Sequence, residues 1–289
     1  MIVSASYRTD IPAFYGSWFL ERLRAGWCRT LNPYGGPPVL VDLRPESVDG
    51  FVFWTRNLEP FSAGLEAVEA AGIPFVVQYT ITGYPRQLER SVIDPARAVT
   101  QFRRIRARWG LRGAVWRYDP IIFSSLTPPE WHLTNFHELA ASLSGCCDEV
   151  VVSFMQPYRK TVRNLDAAAI AHNFTWRDPD CDERLELITR LGGIAAEHGM
   201  TLTLCTQPDL NGPSAACIDV VRLSDVAGRP LKARLKGNRP GCACAESRDI
   251  GAYDTCAHGC VYCYAVTSRA TVQKHLLGHD AAAEFLVGG

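Results

Sequence analysis

The chain has 289 residues, which exceeds most single domains but suits one α/β barrel with an elaboration, since such barrels run to about 250 residues. Hydrophobic residues make up 47% of the sequence and charged residues 21%, and this composition excludes a disordered or fibrous protein. The 30 basic and 30 acidic side chains cancel, so a nucleic-acid partner is possible but not favoured.

The N-terminal sequence, residues 1–6, lacks the basic start and the long apolar core of a signal peptide. No apolar run of about 18 residues follows anywhere in the chain, so no membrane-spanning helix is expected. These two features predict a cytoplasmic protein that has no membrane partner.

Short runs rich in β-branched and aromatic residues alternate with longer segments of helical character. The predicted strands are Ile2 to Tyr7, Phe51 to Thr55, Phe75 to Thr82, Ala114 to Tyr118, Val150 to Phe154 and Thr201 to Cys205. The predicted helices are Trp18 to Ala25, Phe61 to Ala71, Pro95 to Trp109, Pro128 to Leu143 and Asp182 to His198. Near-continuous apolar strands that alternate with helices indicate right-handed βαβ units and a parallel sheet or partial barrel.

The chain divides into a predicted α/β part, residues 1–206, and a cysteine-rich part, residues 207–289, packed over the mouth of the barrel. In one topology the first six strands form the barrel and the second part returns over it. In the other, residues 249–253 form a strand whose neighbour is the strand Ile2 to Tyr7. Both topologies place the last cysteines at the carboxyl ends of the strands. Separately, the rigid loop Gly35 to Pro38 and the preceding Tyr34 suggest a substrate lid.

Eleven cysteines, an odd number, do not suggest a disulfide framework in a reducing compartment, and metal binding or redox chemistry fits them better. Seven of the eleven lie after residue 200. The others are interpreted as structural residues: Cys28, Cys146, Cys147 and Cys181.

Three of the late cysteines, Cys256, Cys260 and Cys263, have CxxxCxxC spacing, and an aromatic residue precedes the third. Three thiolates on one loop can each bind one iron of a [4Fe–4S] cluster and leave the fourth iron open for a small molecule. A structural zinc ion, with His258 as the fourth ligand, is the alternative. The YCYA sequence that ends the motif has no explanation in a zinc site.

This loop resembles the cluster loop of radical S-adenosylmethionine (SAM) enzymes, and it is most similar to the CxHxCxYCYA form of spore photoproduct lyase and its relatives. The resemblance implies that Cys256, Cys260 and Cys263 bind the cluster, that SAM binds the open iron, and that Tyr262 lies beside the adenine. It also implies reductive cleavage of SAM to a 5′-deoxyadenosyl radical, with an external electron donor of the flavodoxin or ferredoxin type.

The position of the loop departs from that family, which carries it near the N-terminus, whereas here 26 residues follow Cys263. The order therefore resembles a circular permutation of the partial (β/α)6 TIM-like barrel of radical SAM enzymes. The segments SASYRTDIPAFY, FWTRN and DIGAYDTC, taken together, are similar to those of an uncharacterised bacterial family with the same layout.

Four further late cysteines could bind a second metal centre: Cys205, Cys217, Cys242 and Cys244. Four thiolates suit either an auxiliary [4Fe–4S] cluster without an open iron or a zinc ion, and their spacing does not separate the two. Alternatively, Cys205 and Cys217 are simply small buried hydrophobic residues.

Polar residues at the ends of the predicted strands are the candidates for binding SAM and substrate. SAM requires a cationic partner for its carboxylate and hydrogen bonds to its ribose, which predicts roles for Arg8, Arg117, Ser153 and Gln156. Arg8 could instead pair with Asp10, and Arg117 with Asp119. The candidates for a proton or hydrogen donor to the substrate are Tyr79, Tyr118 and Tyr158.

Three functions follow from these features. The favoured one is a radical SAM enzyme that acts on a small molecule or peptide and has an auxiliary cluster. The second is a radical SAM enzyme that repairs a nucleic-acid lesion, and the third is a non-catalytic binding module held together by zinc.

Overall fold

The structure, a computed structural model, describes residues 1–33, 35–237 and 239–288. Tyr34, the residue predicted to belong to a lid, lies outside the described residues. The strands are β1 (Ile2–Ala5), β2 (Trp27–Thr30), β3 (Val39–Asp42), β4 (Gly50–Thr55), β5 (Phe75–Thr80), β6 (Ala114–Ile121), β7 (Phe123–Ser124), β8 (Glu149–Phe154), β9 (Trp176–Arg177), β10 (Thr201–Leu204) and β11 (Ser247–Asp249).

The helices flank these strands, and two further single turns of 3-10 helix lie at Glu59–Phe61 and Leu111–Gly113. The helices are α1 (Ile11–Phe14), α2 (Gly16–Ala25), α3 (Ser62–Ala70), α4 (Pro95–Trp109), α5 (Pro129–Leu143), α6 (Arg159–His172), α7 (Cys181–Glu197), α8 (Val220–Ala227) and α9 (Arg269–Leu277). Every helix in the described part of the chain is too short or too polar to cross a membrane.

Seven strands form one parallel sheet in the order β11-β1-β4-β5-β6-β8-β10. All six predicted strands are confirmed, and the sheet contains β11 as a seventh. β11 pairs with β1 through Ile2 opposite Ser247 and Ser4 opposite Asp249. The second predicted topology is therefore confirmed in its order, although the strand is Ser247–Asp249 rather than residues 249–253.

The two faces of the sheet are covered by different parts of the chain. On one face, here called the outer face, the largest core contains residues of α1 to α5 and α7 packed against alternate strand residues such as Phe53, Val77 and Trp116. On the other, the inner face, the strands contribute Ile2, Val52, Val76, Val115 and Val151. Segments between β10 and β11 cover this inner face, so both faces of the sheet are apolar and both are buried.

The five predicted helices are confirmed as α2, α3, α4, α5 and α7, within two residues at most ends. α4 begins with proline in the first turn, after Asp94, whose carboxylate accepts the Ala96 amide. The chain from residue 207 onward contributes β11 to the same sheet, and near its end the Ala283 carbonyl accepts from the Trp18 indole at 3.0 Å. The boundary at residue 206 stays a prediction.

Candidate functional site

The loop with the three spaced cysteines begins just after β11 and is held against the segment that follows β5. The Val261 amide donates to the Leu88 carbonyl at 3.0 Å, and the Ser91 amide donates to the His258 carbonyl at 2.9 Å. Since β11, β1, β4 and β5 run parallel, the loop lies at the carboxyl end of the sheet. This end is where α/β sheets bind their ligands.

The three thiols of this loop, on Cys256, Cys260 and Cys263, lie close enough together to interact electrostatically. Burial raises the pKa of Cys260 to about 12 and raises the pKa of the other two thiols. The Ala265 amide donates to Cys263 Sγ at 3.4 Å, and the His258 amide donates to the Cys256 thiol. In residues 1–33, 35–237 and 239–288, however, no group of three or more His, Cys, Asp or Glu side chains has the geometry of a bound metal ion.

A buried network of hydrogen bonds centred on Glu89 connects the cysteine loop, through Tyr262, to the residues that follow β4 and β5. Glu89 Oε1 accepts from Arg56 at 2.7 Å, from Thr82 at 2.6 Å and from the Tyr262 hydroxyl. Arg56 also donates to the Tyr262 hydroxyl at 2.8 Å. The predicted adenine residue, Tyr262, is thus buried and fixed at its hydroxyl, and its ring packs edge-on against Tyr84 at 5.9 Å.

A second contact ties the loop to the segment that follows β1. His258 Nε2 lies 2.7 Å from Asp10 Oδ2, and the same carboxylate accepts the Arg56 and Ala13 amides. His258 Nδ1 is buried and has no hydrogen-bond partner among the described residues. A carboxylate on one imidazole nitrogen and a free second nitrogen is the arrangement of a metal-binding histidine.

Arg117 lies on the inner face, and its guanidinium group forms an ion pair with Asp119. Its Nε donates to Asp119 at 3.1 Å and its Nη2 donates to the same carboxylate, while Nη1 donates to Gln78 at 3.2 Å. Nη1 also lies 2.9 Å from Cys217 Sγ, and the group stacks 4.8 Å from the centre of the Trp54 ring. The pairing of Arg117 with Asp119 that the sequence offered as an alternative to SAM binding is confirmed.

The guanidinium group of Arg8 makes weaker polar contacts than that of Arg117. Its Nε lies 3.8 Å from Asp249 Oδ1 and is buried without a hydrogen-bond partner among the described residues. The guanidinium carbon is 5.6 Å from the Tyr7 ring centre and 5.4 Å from that of Tyr253. The alternative partner for Arg8, Asp10, is instead occupied by His258.

The other predicted SAM and substrate residues are dispersed. Ser153 Oγ lies on the inner face, 3.5 Å from Asp119 Oδ2. Gln156 lines a separate cavity of about 340 Å³ together with Arg184 and Thr206. Tyr158 is 48% exposed at the start of α6, and its hydroxyl accepts from Arg239 at 3.4 Å.

Two of the three candidate proton donors face away from the loop. Tyr79 belongs to the outer-face core and donates to Gln101 at 2.6 Å. Tyr118 belongs to the same core, where its hydroxyl contacts His132 Nδ1 at 3.0 Å and accepts from Asn135. The structure therefore does not bring Tyr79 and Tyr118 to the cysteine loop, because alternate residues of a strand point to opposite faces and Arg117 occupies the inner position.

The four remaining late cysteines come together. The Sγ atoms of Cys205 and Cys217 are 3.8 Å apart. The Cys217 side chain is also hydrogen-bonded to Cys244, whose side chain is hydrogen-bonded to Cys242. The structural residues Cys28 and Cys147 lie in the outer-face core, and Cys181 is exposed at the start of α7.

Sequence analysis missed two acidic residues of the site, Glu89 and Asp249. Glu89 lies seven residues beyond the predicted strand Phe75 to Thr82, and its burial at 2% exposure depends on contacts with Arg56 and Tyr262, which are distant in sequence. Asp249 accepts from Ser4 and Ser6 across the β11–β1 pair. The sequence placed Asp249 at the start of the alternative strand, residues 249–253, but no local pattern marked it as a buried carboxylate.

Comparisons with known proteins identify a family but no activity. No curated protein matches the chain. Among solved structures, a crystal structure of D-hydantoinase is 10% identical with a TM-score of 0.31, and the alignment covers 70% of this chain but only 40% of that one. A TM-score this low supports no conclusion about fold or activity. The sequence profile of a domain of unknown function, DUF1848, matches residues 2–265, and the chain therefore belongs to the DUF1848 family.

Proposed function

We propose that the protein is a radical SAM enzyme that acts on a small molecule or peptide. The observation that carries the proposal is the convergence of Cys256, Cys260 and Cys263 on one loop at the carboxyl end of a parallel sheet. Amides donate to two of the thiols, from Ala265 to Cys263 and from His258 to Cys256, and these bonds offset part of the burial penalty on the thiolate form that iron requires. A [4Fe–4S] cluster bound there, with SAM on its open iron, would supply reductive cleavage of SAM to a 5′-deoxyadenosyl radical.

The order of the strands supports a permuted partial barrel. From β11 the strands follow β1, β4, β5, β6, β8 and β10, so the sheet reads as an uninterrupted series that starts with the strand before the cysteine loop. The family that the loop resembles carries it near the N-terminus, and here the loop follows the strand that begins this series. The proposal therefore treats β11 as the first strand of the barrel, written last in the sequence.

Among the candidate SAM residues, the contacts favour Arg8 over Arg117 as the partner of the methionine carboxylate. The charge of Arg117 is compensated by Asp119 at hydrogen-bonding distance, whereas Arg8 is 3.8 Å from Asp249 and has an unpartnered Nε. A carboxylate would complete the hydrogen bonding of that buried nitrogen. Tyr262 keeps its proposed place beside the adenine, with its ring oriented by Glu89 and Arg56.

An external flavodoxin or ferredoxin remains the proposed electron donor, since a single electron is needed for each cleavage. Ser153 and Gln156 remain candidates for contacts with SAM or substrate, and Tyr158 for a donor to the substrate. The repair of a nucleic-acid lesion is less favoured, because the 30 basic and 30 acidic residues leave no net attraction to a polyanion.

One observation favours a second candidate, a zinc-stapled binding module. His258 has a carboxylate on Nε2 and an unpartnered Nδ1, and it lies within the cysteine loop. Three thiols and one such imidazole would complete a structural zinc site.

Anaerobic reconstitution with iron and sulfide separates these two candidates. In a radical SAM enzyme the chain gains about four irons at this loop and then produces 5′-deoxyadenosine only when SAM and a reductant are both present. Cys260→Ala should abolish this product, whereas the matched control Cys181→Ala, at an exposed cysteine, should retain it. A wild-type chain that binds zinc at the loop and forms no 5′-deoxyadenosine would contradict the proposal of a radical SAM enzyme.

A further inference from the structure

Four cysteines from three separate segments meet on the inner face of the sheet. Cys205 directly follows β10, Cys217 precedes α8, and the pair Cys242 and Cys244 lies in a hairpin between α8 and β11. Cys205, Cys217 and Cys244 are each at most 8% exposed, and Cys242 packs against the same inner-face core. The stretch between β10 and β11 that contains them has one short helix, α8, and little other regular structure.

Backbone amides hold the segments that contain Cys217 and Cys244, and one of these amides donates to a cysteine sulfur. The Ala245 amide donates to the Ile218 carbonyl at 2.9 Å, and the Ile218 amide donates to Cys244 Sγ at 3.4 Å. In the hairpin, the Lys236 amide donates to the Cys244 carbonyl at 3.0 Å. The segments that contain Cys217 and Cys244 are thus locked side by side.

A second set of backbone bonds brings Cys205 to the same place. The Ala215 amide donates to the Leu204 carbonyl at 2.9 Å, and the Leu204 amide donates to the Pro213 carbonyl at 2.8 Å. The loop between β10 and Cys217 therefore folds back along the edge strand. As a result, Cys205 and Cys217 become neighbours although eleven residues separate them.

Positively charged groups face the sulfurs. Arg117 Nη1 lies 2.9 Å from Cys217 Sγ, and Arg239 Nη2 lies 3.8 Å from Cys205 Sγ. Arg117 also pairs with Asp119, so its charge is only partly available. Neutral thiols have no need of guanidinium neighbours, whereas four thiolates around a divalent ion carry a net negative charge that such neighbours stabilise.

The distance between the Cys205 and Cys217 sulfurs, a thiol–thiol contact, fits two ligands of one metal ion better than two corners of an iron–sulfur cube. Metal–sulfur bonds of about 2.3 Å at a tetrahedral ion place two thiolate sulfurs about 3.8 Å apart. The Cys205 and Cys217 sulfurs are 3.8 Å apart. In a [4Fe–4S] cluster each thiolate binds a different iron at a different corner, so its sulfurs lie considerably farther from one another.

We propose that Cys205, Cys217, Cys242 and Cys244 bind one tetrahedral divalent metal ion of the zinc class, and not a second iron–sulfur cluster. Among the described residues Cys205 contacts Cys217, Cys217 contacts Cys244 and Cys244 contacts Cys242, and no group of three or more has the geometry of a bound metal ion. Binding requires Cys242 to turn toward Cys205. The ion would link the end of edge strand β10 to the hairpin before β11. It would thereby stabilise the segment between these two strands, which packs on the inner face of the sheet.

This site is independent of the proposed radical chemistry and can be tested without it. The test uses the full chain with Cys256, Cys260 and Cys263 all replaced by Ala, purified anaerobically, and measures metal content and acid-labile sulfide. We expect about one zinc or one iron per chain and no labile sulfide. X-ray absorption at the edge of the bound metal should give four sulfur neighbours near 2.3 Å and no metal–metal shell.

Further variants of the same chain serve as the controls. Adding Cys217→Ser should remove the metal, whereas adding Cys181→Ser, at an exposed cysteine, should leave it. If Cys217→Ser does not fold, titration of the metal-stripped parent with Co²⁺ should give the visible absorption of a tetrahedral thiolate site. Four irons with labile sulfide would overturn the proposal, and so would a folded chain that binds no metal or joins Cys205 to Cys217 in a disulfide.

Discussion

At the residue scale, the Glu89 carboxylate beside the cysteine loop accepts hydrogen bonds from three side chains. Its side chain is 3% exposed and pairs with Arg56, whose side chain is 11% exposed. The same oxygen accepts from Thr82 and Tyr262. Because both charges are withdrawn from water, removing one leaves the other without compensation, and that cost exceeds what the intact pair contributes.

Replacing Glu89 by Gln should therefore lower the free energy of unfolding by about 3 kcal/mol. The matched control is Glu59→Gln, which breaks an exposed pair with Arg104 at 2.9 Å and should cost less than about 1 kcal/mol. Urea unfolding at neutral pH measures both variants. Equal losses would mean that Arg56 finds another partner and that the network does not support the loop.

Among single residues, the sequence predicts contacts between neighbours along the chain better than contacts between residues that meet only in the fold. The proximity of Cys256, Cys260 and Cys263 was predictable because one segment of eight residues contains all three. The pairing of Arg117 with Asp119 was predictable as an alternative, because two residues along a strand face the same side. Glu89 was not predictable, because its burial depends on side chains from other elements.

At the element scale, the junction of β11 and β1 positions the start of the cysteine loop. The Asp249 carboxylate accepts from Ser4 at 3.0 Å, Ser6 at 2.8 Å and the Gly251 amide at 2.9 Å. A Cβ atom on Gly251 would lie 2.0 Å from Ser6 Oγ and 2.5 Å from Ser6 Cβ. The chain after β11 therefore passes Ser6, just beyond the end of β1, at a distance that only glycine permits.

Gly251→Ala should push the loop away from β1 and lower the free energy of unfolding by about 2 kcal/mol, as overpacking at a rigid contact does. Gly193→Ala is the control: Gly193 lies in α7 with no atom within 4 Å of the added Cβ, and alanine there should be stabilising by up to about 1 kcal/mol. Thermal unfolding of both variants should shift the midpoint in opposite directions. A midpoint that rises for Gly251→Ala would contradict the close contact.

The elements that were predicted share strong local signals. α4 was found at its observed bounds because Asp94 and Pro95 mark its start and a glycine follows its end. Four helices were missed, namely α1, α6, α8 and α9, and so were the short strands β2, β3, β7 and β9. β11 has only three residues, and the sequence offered it only as one of two topologies. The reason is that its pairing with β1 joins residues 245 positions apart, which no local pattern indicates.

At the scale of the whole molecule, the stability of the fold should depend on pH through His132. This imidazole is fully buried in the outer-face core, where Nε2 lies 3.0 Å from the Ile122 carbonyl and Nδ1 contacts Tyr118. Burial disfavours the charged form and lowers the pKa of His132 from 6.5 to about 4. Between these values the unfolded chain binds a proton that the folded chain does not.

The free energy of unfolding should consequently fall as the pH is lowered from about 6.5 to about 4, by as much as about 3 kcal/mol from this one group. In His132→Gln this contribution is absent, so the variant should lose less stability than the wild type over the same interval. Urea unfolding of both chains at pH 7 and pH 5 measures the difference. Parallel losses in the two chains would show that His132 is not the titrating group.

The sequence by itself determined most strands of the sheet, the helices α2, α3, α4, α5 and α7, and the grouping of three thiols in one loop. Strands buried on both faces must be apolar nearly throughout. CxxxCxxC spacing brings three thiols together within one short loop, whatever the rest of the fold. Only the tertiary structure decided that β11 lies beside β1, that Tyr79 and Tyr118 face the helices, and that Cys205 and Cys217 come within 3.8 Å. These features depend on strand register and on contacts between distant segments, which no local pattern of residues encodes.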